Sequence, residues 1–225
     1  MSEQQKSDQT SKRTAPRDVR RRQLIMAAMD SIAKRGFSDT TLRHVTEKAK
    51  LSHGVVNYHF DSKEALYDAT LGYLAEEHHG LWTKNADEAG PNPAHQLAAI
   101  IEADFDKKVC TPKKLAVWFA FWGQAKYRPN YLKIHNSFDN KRSDEIERLC
   151  EALLADSDAQ DQSAAQAART IEALSDGLWL SFMLYPTTAT REECVSDCFH
   201  TLAKMFPKHF TGTGAKGRTP CAKTK

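Results

Sequence analysis

Residues 53–60 form a pattern whose side chains could read the edges of DNA bases. Val56 and Phe60 recur at i, i+4, as the buried side of a short helix requires. The outward face then combines small, amide and aromatic residues, which suits a helix lying in a major groove. The side chains left on that face are His53, Gly54, Val55, Asn57 and Tyr58.

Basic and polar side chains flank this stretch and are candidates for contacts with DNA phosphates. Lys63 comes near the start of the next predicted helix, where a phosphate could also meet free backbone N–H groups. Residues 1–64 carry a net charge of +5, whereas residues 65–207 carry −7. A basic head on an acidic body predicts a polyanionic partner for the head alone. The phosphate candidates are Arg20, Arg21, Arg22, Thr41, His59 and Lys63.

Aromatic side chains cluster in a second stretch, at residues 118–122, and could bind a cation. A quaternary ammonium group cannot donate a hydrogen bond, so proteins hold it against aromatic faces, often with a carboxylate nearby. Asp104, Asp106 or Asp176 could supply that charge. An aromatic stripe at helical spacing is more often plain core, and both interpretations stay open here. The ligand-binding candidates are Phe105, Trp118, Phe121, Trp122, Tyr127, Asp176 and Trp179.

Helical periodicity and sparse Gly and Pro predict an all-α fold that positions these groups. We expect a disordered basic arm (1–17), a three-helix head with a helix-turn-helix (18–64), a larger helical bundle (65–210) and a disordered tail (211–225). The turn of the helix-turn-helix falls at Lys50, and Ser52 is the expected N-cap of its second helix. Predicted helices cover residues 18–35, 62–84, 94–109, 112–126, 130–155, 164–184 and 191–206 besides the helix-turn-helix.

The last two predicted helices have broad apolar faces, and no later element is predicted to cover them. Two such helices from each of two chains could form a four-helix interface around a two-fold axis. We therefore expect a homodimer. Its candidate interface residues are Leu178, Phe182, Val195, Phe199 and Leu202.

The segment GVVNYHFDSKEAL, residues 54–66, resembles the end of the DNA-binding domain of TetR-family repressors. This chain departs from that family's common pattern in having Lys50 where Gly is usual and Asn57 where Tyr is frequent. RRRQLI (20–25), WFAFW (118–122) and DGLWL (176–180) resemble the BetI-type branch, whose members respond to choline and control glycine-betaine synthesis genes. The resemblance implies a dimeric, ligand-responsive repressor of palindromic operator DNA, sensing choline or a related quaternary amine. A multidrug-type sensor of apolar cations is the alternative.

Other chemistries find little support in the sequence. It contains no Gly-rich phosphate loop, no His-Glu-x-x-His and no nucleophile elbow. We therefore expect that the protein is not an enzyme and binds no cofactor. A helical enzyme with an incidental basic head stays the alternative. Cys194 and Cys198 lie at i, i+4, but buried thiols explain them better than a metal site. The five cysteines, the polar N-terminus and the lack of a ~20-residue apolar run predict a cytoplasmic protein without a membrane span.

Overall fold

The computed structural model describes residues 17–155 and 163–218, and this part of the chain is predominantly helical. The all-α fold predicted from the sequence is confirmed. The elements are α1 (Arg17–Arg35), α2 (Leu42–Ala49), α3 (His53–His59), α4 (Lys63–Glu88), α5 (Pro93–Asp104), α6 (Pro112–Ala125), α7 (Pro129–Leu154), α8 (Ala164–Leu184), α9 (Arg191–Met205), β1 (Phe210–Thr211) and β2 (Gly214–Ala215). Residues 1–16 of the predicted arm lie outside the described residues, and Arg17 opens α1 rather than ending the arm.

Helices α1 to α3 form the head around a small apolar core. Leu24 and Ile32 of α1, Val45 of α2, and Val56 and Phe60 around α3 are all buried there. A capping box begins α2: the Thr41 hydroxyl accepts a hydrogen bond from the His44 backbone N–H, and the His44 ring accepts one from the Thr41 N–H, both at 3.3 Å.

The turn of the helix-turn-helix contains a strained residue. Lys50 has φ 53° and ψ 42°, the left-handed conformation that favours glycine, and its N–H bonds to the carbonyls of Thr46 and Glu47. Ser52 is the N-cap of α3, but the predicted hydroxyl cap is wrong, because its side chain makes no capping hydrogen bond. Its backbone carbonyl instead accepts from the Val55 N–H at 3.1 Å.

Helix α4 connects the head to the body. The Ser62 hydroxyl caps it, and Tyr67 ties it to the head by donating a 3.0 Å hydrogen bond to the Thr40 carbonyl. The helix runs to Glu88, four residues past its predicted end, because Trp82 and Ala86 continue its buried stripe.

Helix α5 is shorter than predicted and ends at Asp104 instead of residue 109. The chain turns at Asp106, whose side chain accepts from the Lys108 N–H at 2.7 Å and whose carbonyl accepts from the N–H groups of Val109 and Cys110. Such an Asx turn competes with helix continuation, and it was missed because the apolar spacing carries on through it.

The body packs α4 against α5 and α7, α7 against α8, and α8 against α9. Helix α6 lies at the junction of the body with the head and packs against α1 on one side and α7 and α8 on the other. Among the described residues, no helix is both long and apolar enough to cross a lipid bilayer.

The chain beyond α9 is ordered as far as residue 218, contrary to the predicted disordered tail. Strands β1 and β2 pair antiparallel, with Phe210 opposite Ala215, and both of these side chains are buried. The Phe210 ring packs against Phe199 and Phe206, and Arg218 donates to Glu102 of α5 at 2.8 Å. Apolar burial at the two paired positions therefore offsets the Gly- and Thr-rich composition.

Candidate functional site

Helix α3 presents a solvent-exposed face on the head. Tyr58 is 69% exposed, and His53, Gly54 and Asn57 are exposed beside it. Val55 is half-buried, while Val56 faces the core. The outward face expected from the i, i+4 pattern is therefore present, with the aromatic ring and the amide directed to solvent.

Arginines of α1 lie against this face. The Arg17 guanidinium is 5.8 Å from the centre of the Tyr58 ring, and the Arg21 guanidinium is 5.3 Å from that of Phe60. Arg22 points elsewhere: it donates to the Tyr73 hydroxyl of α4 at 3.1 Å and lies over that ring. Successive residues of a helix differ by about 100° in direction, so three consecutive arginines cannot share one surface.

Two other phosphate candidates lie at the junction of α3 and α4. The Lys63 ammonium is 5.1 Å from the centre of the Tyr67 ring, at the first position of α4. Burial, together with the charges of Arg17 and Arg21, lowers the pKa of His59. His59 is therefore neutral near neutral pH and adds no positive charge to the head.

A cavity of about 40 Å³ lies in the body, between α4, α6, α7 and α8. The chain contains four tryptophans, and all of them line this cavity. Residues 75–82 supply one wall from α4, and one face of α7 supplies another. The four indoles belong to Trp82, Trp118, Trp122 and Trp179.

Three of these indoles form a triangle. The ring centres of Trp118, Trp122 and Trp179 are 6.1, 6.3 and 6.4 Å apart, and Trp122 and Trp179 are stacked with an interplanar angle of 16°. A point just above this triangle is within the ~6 Å over which aromatic faces attract a cation.

A buried ion network supports the triangle. Asp104 accepts hydrogen bonds from His78 Nε2 at 2.9 Å and from Arg142 Nη2, and its backbone carbonyl accepts from the Trp179 indole N–H at 2.8 Å. Burial disfavours the Asp104 carboxylate, but the charge of Arg142 and the His78 hydrogen bond outweigh it and lower its pKa. Asp104 is thus an anion held in place by its partners.

Further carboxylates make the cavity acidic. Asp139 lines it 3.7 Å from His135 Nε2, and Asp176 lines it from α8. Desolvation raises the pKa of Asp176 to about 6, opposed by Arg142 and reinforced by Asp139. Asp176 is also partly exposed to solvent, so a ligand and a proton can both reach it.

Comparison with known proteins finds a family match for the head and another for the body. The family profile for bacterial regulatory proteins of the tetR family matches residues 24–70, and that for the C-terminal domain of BetI-type transcriptional repressors matches residues 93–207. The chain belongs to the TetR family. Most residues that line its cavity lie in the BetI-type match, its α4 wall lies between the two matches, and its helix-turn-helix lies in the tetR-family match.

Relatives of known name agree with this assignment to the TetR family. The HTH-type transcriptional regulator BetI of Paraburkholderia xenovorans is 32% identical over 166 residues, covering 73% of this chain and 82% of its own. BetI of Burkholderia thailandensis is 31% identical over 165 residues, with the same coverage of both chains. This TetR-family chain is accordingly a BetI-type transcriptional repressor rather than an enzyme.

Solved structures show the same TetR-type fold. A transcriptional regulator from Pseudomonas aeruginosa superimposes with a TM-score of 0.77 at 26% identity, covering 86% of this chain and 93% of its own. A regulator from Saccharomonospora viridis, solved in complex with choline, gives a TM-score of 0.68 at 18% identity and covers 82% of this chain and 95% of its own.

Three residues expected to bind a ligand do not line the cavity of this TetR-family body. Phe105 is buried in the core, and Tyr127 is 73% exposed on the surface. Phe121 lies on the opposite side of α6 from the cavity and packs against Phe37, Tyr67 and Tyr131. The aromatic residues of α6 therefore lie in two places, some in the cavity and some in the core on the opposite side of the helix. Their spacing in the sequence did not show which residues lie in which place.

Sequence reasoning missed several residues of the cavity. Trp82 lies near the expected end of α4, His78 lies on the same helix, and Phe138 and Arg142 lie on α7. A signal existed for α7, because residues 135, 138, 139 and 142 follow i, i+3, i+4, i+7 and combine aromatic and charged types.

The residues expected at a dimer interface are mostly covered by their own chain. Phe182, Phe199 and Leu202 are buried, and Phe199 contacts Phe210 in the hairpin of β1 and β2. Leu178 and Val195 are half-buried. The large apolar side chains that α8 and its C-terminal end leave exposed are Leu180, Leu184 and Tyr185.

Proposed function

We propose that this TetR-family protein is a repressor that binds a palindromic operator as a homodimer and responds to choline or a closely related quaternary amine. The genes it controls are then those of glycine-betaine synthesis or uptake, as the BetI-type relatives suggest. The observation that carries the proposal is the convergence of all four tryptophans on one acidic cavity.

The chemistry of the cavity favours a permanent cation. Indole faces attract a quaternary ammonium by about 0.5–2 kcal/mol each, and more strongly in a desolvated site. Asp104 is neutralised by Arg142, which leaves Asp139 and Asp176 as negative charges on the wall. An apolar neutral molecule would gain burial but would leave these carboxylates without a counterion. The crystal structure of a fold neighbour with choline supports the capacity of this fold to enclose such a ligand.

The size of the cavity supplies a mechanism for the response. A volume of about 40 Å³ holds only roughly three waters, at about 10–15 Å³ each. Choline, with seven non-hydrogen atoms, therefore has to push the walls apart. Helix α4 is one of those walls through His78, His79 and Trp82, and its first turns are fastened to the head through Tyr67. Outward movement of α4 would change the separation of the two heads, so ligand and operator favour different conformations.

The dimer brings two such heads to one operator. Leu184 and Tyr185 are 54% and 59% exposed, and Leu180, one turn before Leu184, adds to the same end of α8. Apolar side chains exposed on the last helices support their use as the contact between two copies. Of the interface residues predicted from sequence, Leu178 and Val195 remain partly accessible for this contact.

On the operator, the exposed face of α3 would lie in the major groove. His53, Gly54, Val55, Asn57 and Tyr58 would then lie near bases, with Thr41 and Lys63 near phosphates. Arg17 and Arg21 extend the basic surface beside Tyr58, and Arg20 lies on the same helix.

Two variants test the mode of DNA binding. Asn57→Ala should relax base preference at one position per half-site, by about 1–3 kcal/mol. Lys63→Ala should instead weaken all sequences alike and flatten the slope of log affinity against log salt by about one per half-site. Gel shifts with the DNA upstream of this gene and with point-substituted operators separate these effects. An unchanged salt slope for Lys63→Ala would refute its phosphate contact.

A ligand titration tests the effector. Choline should quench tryptophan fluorescence and change operator affinity, whereas its uncharged isostere, with a tert-butyl group in place of the trimethylammonium, should do neither. Trp122→Ala should abolish the response and leave operator affinity unchanged. If choline gives no calorimetric heat and no change in Tm, while bulky lipophilic cations give both, the protein is a multidrug-type sensor.

A further inference from the structure

We propose that Arg142 selects the chemical group at the end of the effector away from the ammonium, which we call its tail. The Arg142 Nε–H donates a hydrogen bond to a neutral oxygen of the tail. The site therefore binds quaternary amino alcohols and rejects quaternary amines with alkyl or carboxylate tails. This inference rests on the proposed function and adds the chemistry at the end of the ligand away from the ammonium group. The starting observation is a buried N–H donor that the protein itself does not satisfy.

Arg142 is only 6% exposed and lines the cavity. Its Nη2 donates to Asp104, and its Nη1 is 3.6 Å from the Glu172 carboxylate. Its Nε is buried without a hydrogen-bond partner. Because a guanidinium is a rigid plane, the two carboxylates that hold its ends also fix the direction of the remaining N–H.

The cavity has two chemically different ends along α7. At one end, the His135 ring is 6.2 Å from the Trp118 ring and 5.8 Å from the Trp122 ring. Arg142 follows seven residues later on the same face, a rise of about 10 Å along the helix axis. The indole faces that attract a cation lie at the His135 end, so the cation belongs there and the tail is directed to the guanidinium.

The charges around Arg142 decide which oxygen the tail carries. One guanidinium already faces the carboxylates of Asp104 and Glu172, and Asp139 and Asp176 lie on the same cavity wall. A carboxylate tail would add another anion to this group and would be repelled. An alcohol oxygen can accept from Nε without adding charge. An alkyl tail would leave the buried donor unpaired, which proteins disfavour strongly.

A matched ligand series on the full-length protein tests this assignment. Propyltrimethylammonium replaces the choline hydroxyl with a methyl group of similar size and keeps the cation. Calorimetry should show choline binding at least ~10-fold more tightly, as expected for a hydrogen bond to a charged group. Trimethylglycine, which carries a carboxylate, should bind more weakly than either. Equal binding of choline and propyltrimethylammonium, or tighter binding of trimethylglycine, would overturn the inference and leave the proposed cation site intact.

A variant pair assigns the preference to Arg142. Replacing Asp104 and Arg142 together, as D104N with R142L, removes the buried ion pair and leaves only Glu172, which is partly exposed and keeps its hydrogen bond from Ser143. In this double variant the preference for choline over propyltrimethylammonium should fall to about one, with tryptophan quenching retained. The control E145Q with R148L removes an exposed ion pair of the same helix, outside the cavity, and should keep the preference. If the preference for choline survives in D104N with R142L, Arg142 is not the donor. Failure of every ligand to bind would contradict the proposed function itself.

Discussion

The ring of Phe37, which follows α1 in the head, meets the ring of Phe121 on α6 edge to face, with their centres 5.6 Å apart. The opposite side of α6 carries Trp118 and Trp122 into the cavity. A single helix thus lines the cavity on one side and contacts the head on the other. This contact adds a second connection between cavity and head to that made by α4.

Replacing Phe121 with a smaller side chain should reduce the coupling between ligand and operator binding and should lower the stability of the fold only modestly. Phe121→Leu is expected to cost on the order of 1 kcal/mol of stability and to reduce ligand–operator coupling by roughly 0.5–2 kcal/mol. The measurement is the ratio of operator affinities with and without saturating choline. Phe206→Leu, equally buried but beside the C-terminal hairpin, is the control and should leave that ratio unchanged. If the ratio is the same in the wild type and in Phe121→Leu, the contact between Phe37 and Phe121 does not couple the cavity to the head.

Effector binding should depend on pH through Asp176. Its pKa of about 6 means that the carboxylate gains its charge between pH 5 and 7, so affinity for a permanent cation should rise over that interval. The charge of a quaternary ammonium ligand does not change with pH, so any change of affinity with pH comes from a group on the protein. Asp176→Asn should remove most of the rise and lower affinity at pH 8. Asp144→Asn, an exposed carboxylate of α7 outside the cavity, should keep the wild-type profile.

The buried Asp104 should contribute stability that acid removes. Its pKa is lowered below the ordinary 3.8, so its contribution is complete above that value and disappears as pH falls through the lower folded-state value. Asp104→Asn leaves Arg142 without its closest anion and should cost about 3–5 kcal/mol at pH 7. Urea unfolding at several pH values should show this difference shrinking below about pH 4. Glu145→Gln, in an exposed pair with Arg148, should cost under ~1 kcal/mol.

Replacing the left-handed Lys50 should stabilise the head. Lys50→Gly relieves a left-handed conformation that costs a side-chain-bearing residue about 1 kcal/mol, and should raise the free energy of unfolding by that amount. Lys50→Ala removes the same charge but keeps the Cβ atom, so it should give no such gain. Denaturant midpoints of the wild type and the two variants distinguish these outcomes. If Lys50→Ala gains as much stability as Lys50→Gly, the loss of the lysine charge is responsible.

The exposed end of α8 should be needed for the dimer. Leu184→Glu places a charge in the proposed contact and should shift sedimentation at micromolar concentration towards the monomer, with weaker operator binding. Leu132→Glu adds the same charge at an exposed leucine of α7 and should remain dimeric. Phe199, an interface candidate from the sequence, would be a poor site for this test, because it is buried against Phe210 and Phe199→Glu would disturb folding. A dimeric Leu184→Glu protein would place the contact elsewhere.

The amino-acid sequence by itself determined the local features of this protein. The inward pair Val56 and Phe60 and the position of the turn at Lys50 could be predicted, since each depends on residues within one or two helical turns. The family resemblance added the two-part layout, which the profile matches confirm.

Only the tertiary structure decided which face of each helix meets which partner. Phe121 and Trp122 are neighbours in sequence, yet one contacts the head and the other lines the cavity, because adjacent residues of a helix point about 100° apart. Trp82 and Arg142 reach the same cavity from helices far apart in the chain. Their meeting depends on how α4 and α7 pack, and that packing is set by the whole core rather than by any local pattern.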